Sequence, residues 1–242
     1  MEQEKMQIDP SIGRAFLHEI TKGWADLPEP AMVELRCLFP GRTPLVSRYS
    51  PDETGLDMLL SDAEGMNKHG VNTYIVVNPV RKSAPLFRRD ANGKDRQSGA
   101  LDEDIIAAFF FWADGDDEEA ANSIRNFAGP KYTMAVTTGT VPSPRPHIYW
   151  RIQDGPTFDL ETWTTIQKGI AAVLSTDRTV VNPARIMLLP GFINWPTEQK
   201  KAKGRVAELS TLRTKYDDSR EPVPFEQMHR AFAGAAPKPK SL

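Results

Sequence analysis

The sequence predicts an α+β fold built on antiparallel sheet, and three observations carry that prediction. Strand-type apolar runs at 71–77, 105–113 and 132–138 are interleaved with segments of helical periodicity. Residues His147 to Gln153 alternate strictly: His147, Tyr149 and Arg151 share one face, Ile148, Trp150 and Ile152 the other. A polar face opposite an apolar one marks an antiparallel sheet with one side free for a ligand. In the second half, the order strand (105–113), helix, strand, strand, helix, strand reads as a βαββαβ unit.

The elements follow in chain order. Ile12, Phe16, Leu17 and Ile20, with Trp24 a turn later, recur at helical spacing and predict an amphipathic helix over 11–24. Met32, Val33 and Leu35, after two prolines, suggest a short helix or turn that Pro40-Gly41 stops. Residues 51–69 read as a helix carrying Leu56, Met58, Leu59 and Leu60, with Gly70 in the helix-ending position. Val71 to Val77 is a β-branched strand ended by Asn78-Pro79. The polar segment 80–102 reads as one long loop, a length usually reserved for function or disorder.

The aromatic strand 105–113 precedes an acidic turn and a helix from Asp117 to Phe127, which Gly129-Pro130 ends. Strands at 132–138 and 147–153 flank a loop with three prolines, and 159–175 is an amphipathic helix through Trp163, Ile166 and Ile170. A strand near 205–212 and a helix over 225–232 complete the ordered part. The ends, 1–10 and 233–242, read as disordered. The expected organisation is an N-terminal α/β subdomain over 11–102, a catalytic subdomain over 103–215, and a C-terminal helix and tail over 216–242.

At 242 residues the chain can bury a substantial core. No apolar stretch nears the roughly 20 residues that span a bilayer, and no secretory leader precedes the first helix, so a cytoplasmic protein is expected. Cys37 is the only cysteine, which excludes an internal disulfide and a cysteine-based zinc cluster. A net charge of −2 argues mildly against a protein that coats nucleic acid. Positive charge is nevertheless concentrated in two places. One contains Arg81, Lys82, Arg88, Arg89, Lys94 and Arg96; the other, Lys200, Lys201, Lys203 and Arg205. Either suits phosphates, and either is equally ordinary as a solvated loop.

The chemistry concentrates where the aromatic strand ends, at Asp114-Gly-Asp116. Alternation along a strand puts both carboxylates on one face. Such close like charges raise each other's pKa unless a cation lies between them. A hard divalent ion, Mg²⁺ or Mn²⁺, suits oxygen ligands; a solvated acidic turn that caps the next helix is the plain alternative. Thr137-Thr138-Gly139 forms a strand end and turn whose backbone N–H groups suit an anion, with Arg145 and His147 nearby as donors. Asp177, just past the long helix, offers the third carboxylate that a two-metal site needs.

Taken together, strand-DxD, a turn followed by His-Ile-Tyr-Trp, then Asp177 and Asn182-Pro-Ala-Arg-Ile-Met-Leu-Leu-Pro-Gly-Phe-Ile-Asn-Trp-Pro196 resemble the archaeo-eukaryotic primase superfamily, especially its RepB-like phage and plasmid primases and primase-polymerases. The resemblance spans about residues 70–212, and Asn78-Pro79-x-Arg81 is similar to the family's N-terminal subdomain. One cation of the family's usual Arg-Leu-Pro-Gly is replaced by Leu188.

The resemblance implies a primase-type core with an RRM-like sheet and template-directed nucleotidyl transfer on single-stranded DNA in phage or plasmid replication. Asp114, Asp116 and Asp177 would hold Mg²⁺ or Mn²⁺. His147, with Arg145, Arg185 and Thr138, would bind the nucleoside triphosphate, and Arg81, Lys82, Arg88 and Arg89 the template. A replicative helicase is a further partner that the resemblance suggests. The rivals are a catalytically inactive replication-initiation module that binds nucleic acid, and a DxD glycosyltransferase using a nucleotide sugar.

Overall fold

The structure, a computed structural model, describes residues 6–213 and 221–237. Its elements in chain order are α1 (Pro10–Thr21), β1 (Ala31–Leu38), β2 (Leu45–Tyr49), α2 (Glu53–Asn67), β3 (Asn72–Val76), β4 (Val80–Arg81), β5 (Phe87–Arg89), β6 (Asp95–Gln97), β7 (Phe110–Asp114), α3 (Glu118–Asn126), β8 (Met134–Thr137), β9 (Pro146–Arg151), α4 (Leu160–Val173), β10 (Ile186–Leu188), β11 (Ile193–Asn194), α5 (Glu198–Ala202), β12 (Glu208–Leu209), β13 (Thr211–Arg213) and α6 (Phe225–Phe232). The expected mixed α and β architecture on antiparallel sheet is observed. Among the described residues, no helix is long and apolar enough to cross a membrane.

Two sheets form the body. The first runs β10-β3-β1-β2, with β4 pairing beside β1; the second runs β13-β8-β9-β7, and all these pairings are antiparallel. The expected order strand, helix, strand, strand, helix is present as β7-α3-β8-β9-α4. The strand that follows α4 crosses to the first sheet, where β10 pairs with β3, and β13 then closes the second sheet against β8.

Three expectations are corrected. Met32 to Leu35 belong to a strand, β1, at the centre of the first sheet. Ala31, Val33, Leu35 and Cys37 alternate into the core, while Glu34 and Arg36 point to the other face. Burial pushes the Cys37 thiol up to about 11, with Asp62 adding to it. Segment 80–102 is not one loop: it contains β4 and the β5-β6 hairpin. It is clamped by fully buried Glu34, which binds Arg36 (2.7 Å), Arg48 (2.8 Å) and the Ala100 N–H (3.0 Å).

The third correction concerns β9. Its polar face is covered, because α1 packs on it: Phe16 meets Tyr149 edge-on at 5.5 Å, and Tyr149 is fully buried. Arg151 donates to the Glu19 and Lys22 carbonyls at the end of α1, where a cation favours the helix dipole. The opposite face packs on α4 and α6 through Phe111–Trp163 stacking (5.8 Å) and Trp150–Phe232 (6.1 Å). Along this face His147 and Tyr149 are buried and Arg151 is partly exposed.

The C-terminal strand expected near 205–212 is present as β12 and β13. Helix α6 covers the expected 225–232, and a further helical turn follows at Ala233–Ala235, where a disordered tail was expected. Expectations for 1–5, 214–220 and 238–242 lie outside the described residues.

Candidate functional site

Strand β7 is an edge of the second sheet, and α4 seals that edge with side chains rather than with another strand. Buried Gln167 accepts from the Trp112 N–H (3.3 Å) and donates to the Trp112 carbonyl (2.6 Å). Trp163 donates to the Phe110 carbonyl at 3.0 Å. An edge strand's open backbone groups are thereby satisfied. Beyond α4 the chain runs alongside β7: the Val180 carbonyl accepts from the Trp112 indole (3.2 Å), and the Asp177 N–H donates to the Asp114 carbonyl (3.3 Å). Asp177 thus lies beside Asp114, although 63 positions separate them in the sequence.

Asp114 closes β7 opposite His147 of β9, with His147 Nε2 3.2 Å from Asp114 Oδ1. Burial alone would raise the Asp114 pKa. The charge and hydrogen bond of His147, with Lys200 and Arg205 further off, outweigh burial and hold the carboxyl below its usual range. The mutual elevation expected of two neighbouring carboxylates is therefore not what governs Asp114: protein cations fill the gap. Asp116, more exposed, accepts from Arg205 at 2.8 Å, and Arg205 also donates to the Asp116 carbonyl at 2.7 Å. The Asp177 carboxylate turns back to its own loop, accepting from the Thr179 N–H and hydroxyl, both at 2.8 Å. Tyr74 of β3 faces the pair from the first sheet. Its pKa is pushed up to about 12 by burial and then by Asp114 and Asp116, so the phenol remains a donor at neutral pH.

The other expected site residues are placed as follows. Thr138 uses its hydroxyl on the Arg145 carbonyl (3.1 Å). Arg145 is buried and held by Glu208 (2.9 Å) and by carbonyls of its own loop, so it staples the proline loop and does not present a free fork to phosphate. Arg185 donates to Asn182 (3.1 Å) and to the Thr179 carbonyl, and lines a second cleft of about 490 Å³ with Arg36 and Asp102. Arg88 is tied to Asp104, Arg81 lies 3.5 Å from Glu29, and Arg89 is 3.6 Å from Asp95; Lys82 is exposed. These four flank β4 and the hairpin, away from Asp114, because β4 pairs with the Ala31 end of β1.

Arg205 and Tyr74 are the site residues that sequence reading did not assign. Arg205 lay in the basic cluster already noted; Tyr74 carried no signal beyond its strand.

The carboxylates suit a hard divalent ion in kind, since their donors are oxygens and Asp114 is held ionised. Among the described residues, though, no three acidic, histidine or cysteine side chains stand ready-gathered around one point. Arg205 and Thr179 each bind a single carboxylate oxygen, Oδ1, of Asp116 and Asp177 respectively, so an ion would take the second oxygens or displace these partners.

A strand-end acid facing a histidine, with a third acid drawn alongside by a backbone bond, belongs to a fold of primase type. The chain superposes on the archaeo-eukaryotic primase domain of the cyanophage S-2L primase-polymerase with TM-score 0.60 and 18% identity, over 93% of this chain and 98% of that one. It is also similar to the primase RepB′ (TM-score 0.52, 13% identity, 89% of this chain and 62% of that one). The RepB′ catalytic domain in complex with initiator DNA is matched equally well (TM-score 0.52, 13% identity, 91% and 93% coverage). No protein-family model matches the sequence, and no curated protein matches it.

Proposed function

We propose that the chain is a primase or primase-polymerase that performs metal-dependent, template-directed nucleotidyl transfer on single-stranded DNA. The observation that carries this reading is the junction of Asp114, His147 and Asp177 at one strand end within a primase-type fold. The RepB′ domain was captured with initiator DNA, which supports a DNA substrate here by analogy.

Asp114, Asp116 and Asp177 would hold Mg²⁺ or Mn²⁺. When bound, such ions supply acidification of the attacking 3′-hydroxyl and neutralisation of the triphosphate and leaving pyrophosphate. The chain's own groups do the rest. His147 Nε2 holds the Asp114 carboxylate in one orientation, and when Asp114 turns outward the same nitrogen faces the opening as a donor for a phosphate oxygen. Arg205, once released from Asp116, presents two N–H groups to the same anion. Tyr74 adds a neutral hydroxyl from the facing sheet. The reaction joins the 3′-oxygen to the α-phosphorus as the α–β bridging bond breaks, so positioning and charge stabilisation suffice.

The glycosyltransferase reading loses its support once the fold is of primase type. The inactive-module reading is met by the same assay as the proposal. Purified chain, a single-stranded template, nucleoside triphosphates and Mn²⁺ or Mg²⁺ should yield labelled product that chelation removes. Asp114→Ala should lower the yield by at least about a hundredfold with an unchanged circular-dichroism spectrum. Product from the variant at the wild-type rate would dismiss the site assignment, and none from the wild type would dismiss the activity.

A further inference from the structure

Beside the carboxylates lies a cleft of about 910 Å³, walled by Phe39 beyond β1, Tyr74 of β3, Trp195 beyond β11, and Lys201, Arg205 and Val206. We propose that this cleft holds single-stranded nucleic acid, its bases stacked on Phe39, Tyr74 and Trp195 and its phosphates toward the Lys200–Arg205 cluster. The inference rests on the nucleotidyl-transfer reading and names the path of the strand that the reaction would copy.

The rings are partly exposed, and at least one is rigidly mounted. Asn72 and Trp195 exchange backbone-to-amide hydrogen bonds of 2.7 Å each way, and the Trp195 indole N–H donates to the Asn67 carbonyl at 3.1 Å. With its polar edge satisfied by protein, the indole offers only its apolar surface to a ligand. Stacking on such a surface accepts any base, because every base has a π-face. A mounted ring also loses little conformational freedom on binding.

Charge complementarity selects a polyanion over an apolar partner. Lys201 and Arg205 line this cleft, with Lys200 and Lys203 beside them in the sequence, on a chain whose net charge is negative. Lys201 is exposed and pairs with Glu198, which is exposed and lines the same cleft. In the basic segment 80–102, Arg81, Arg88, Arg89 and Arg96 face acidic partners too, so the rings and the position of the cleft, not free charge, set it apart. That segment joins β1 at Ala31 and Met32, whereas the cleft opens beyond Leu38, roughly 20 Å along the strand.

The cleft is also continuous with the acid site. Arg205 lines it while binding Asp116, and Tyr74 lines it while sensing the charge of both Asp114 and Asp116. A strand lying on these rings therefore reaches the carboxylates without crossing the protein surface.

Fluorescence anisotropy of a labelled oligothymidylate, in EDTA and without nucleotide, tests this. Trp195→Ala and, separately, Phe39→Ala should each weaken strand binding roughly tenfold. Trp195→Phe, which keeps a ring but not the N–H, should stay near wild type and so separates stacking from damage to the fold. Wild-type strand affinity in both alanine variants would overturn the inference, as would a loss confined to nucleoside triphosphate affinity. If the wild type incorporates no nucleotide yet the ring variants release the strand, the reaction is wrong and the groove stands. If it incorporates nucleotide and the ring variants still hold the strand, the groove is wrong and the reaction stands.

Discussion

Arg205 binds Asp116 through both side chain and carbonyl, and His147 Nε2 lies 3.2 Å from Asp114, so two of the three candidate metal ligands already have protein nitrogens against them. The arrangement avoids juxtaposed like charges without an ion, and it makes any ion a competitor of Arg205. Because the Asp116 carboxylate is about half exposed, that ion pair is of the kind worth about 0.2–1 kcal/mol. Arg205→Ala should therefore tighten Mn²⁺ binding by roughly 1.5- to fivefold in the absence of nucleotide. Paramagnetic resonance of free Mn²⁺ reads this directly. Unchanged or weaker Mn²⁺ binding would mean that Asp116 is not a ligand, or that Arg205 does not hold it back.

Among the elements, β7 positions the site, and its alignment depends on Gln167 of α4. That single amide meets both backbone groups of Trp112, two residues before Asp114. Gln167→Leu keeps the shape but leaves a buried N–H and C=O without partners, at about 1–3 kcal/mol for such a loss. A drop of about 2 kcal/mol in urea-derived stability is expected, and Gln167→Glu, whose ionised carboxylate cannot donate to the Trp112 carbonyl, should lose at least as much. Equal stability of wild type and Gln167→Leu would refute the role of the amide in holding the edge.

Much at this scale was readable in the chain: the aromatic run ending in Asp114, the alternation that places His147, and the periodicity of α4 are all local patterns. The central strand β1 was not, although Ala31, Val33, Leu35 and Cys37 alternate. The charged Glu34 and Arg36 between them gave no sign of burial, and the distant Arg48 and Ala100, together with Arg36, make a buried carboxylate tolerable there. Arg145 misled for the same reason: its partner Glu208 is 63 residues away, and no local pattern distinguishes a phosphate ligand from a buried staple.

Across the whole molecule, the two sheets are interlaced. Strand β10 leaves the second half to pair with β3, and buried Asn67 of α2 grips Ile193 through its N–H (2.9 Å) and carbonyl (2.8 Å). Asn194 then donates to the Thr138 carbonyl, at the end of the second sheet, at 2.8 Å. Neither sheet can lose these contacts without exposing polar groups in the other, so both should unfold together. A chain of this length commonly populates intermediates, which makes coincidence an informative outcome. Three of the five tryptophans, Trp112, Trp150 and Trp163, report on the second sheet's core, where all three are fully buried. Far-ultraviolet circular dichroism reports on helices packed against both sheets, α1 and α2 included. The two urea transitions should superpose within error, with one midpoint and one slope. A fluorescence transition at lower urea than the dichroism would show that the halves open separately. The cleft between Tyr74 and the Asp114–Asp116 pair would then widen on its own, and it could not hold a strand in register with the carboxylates.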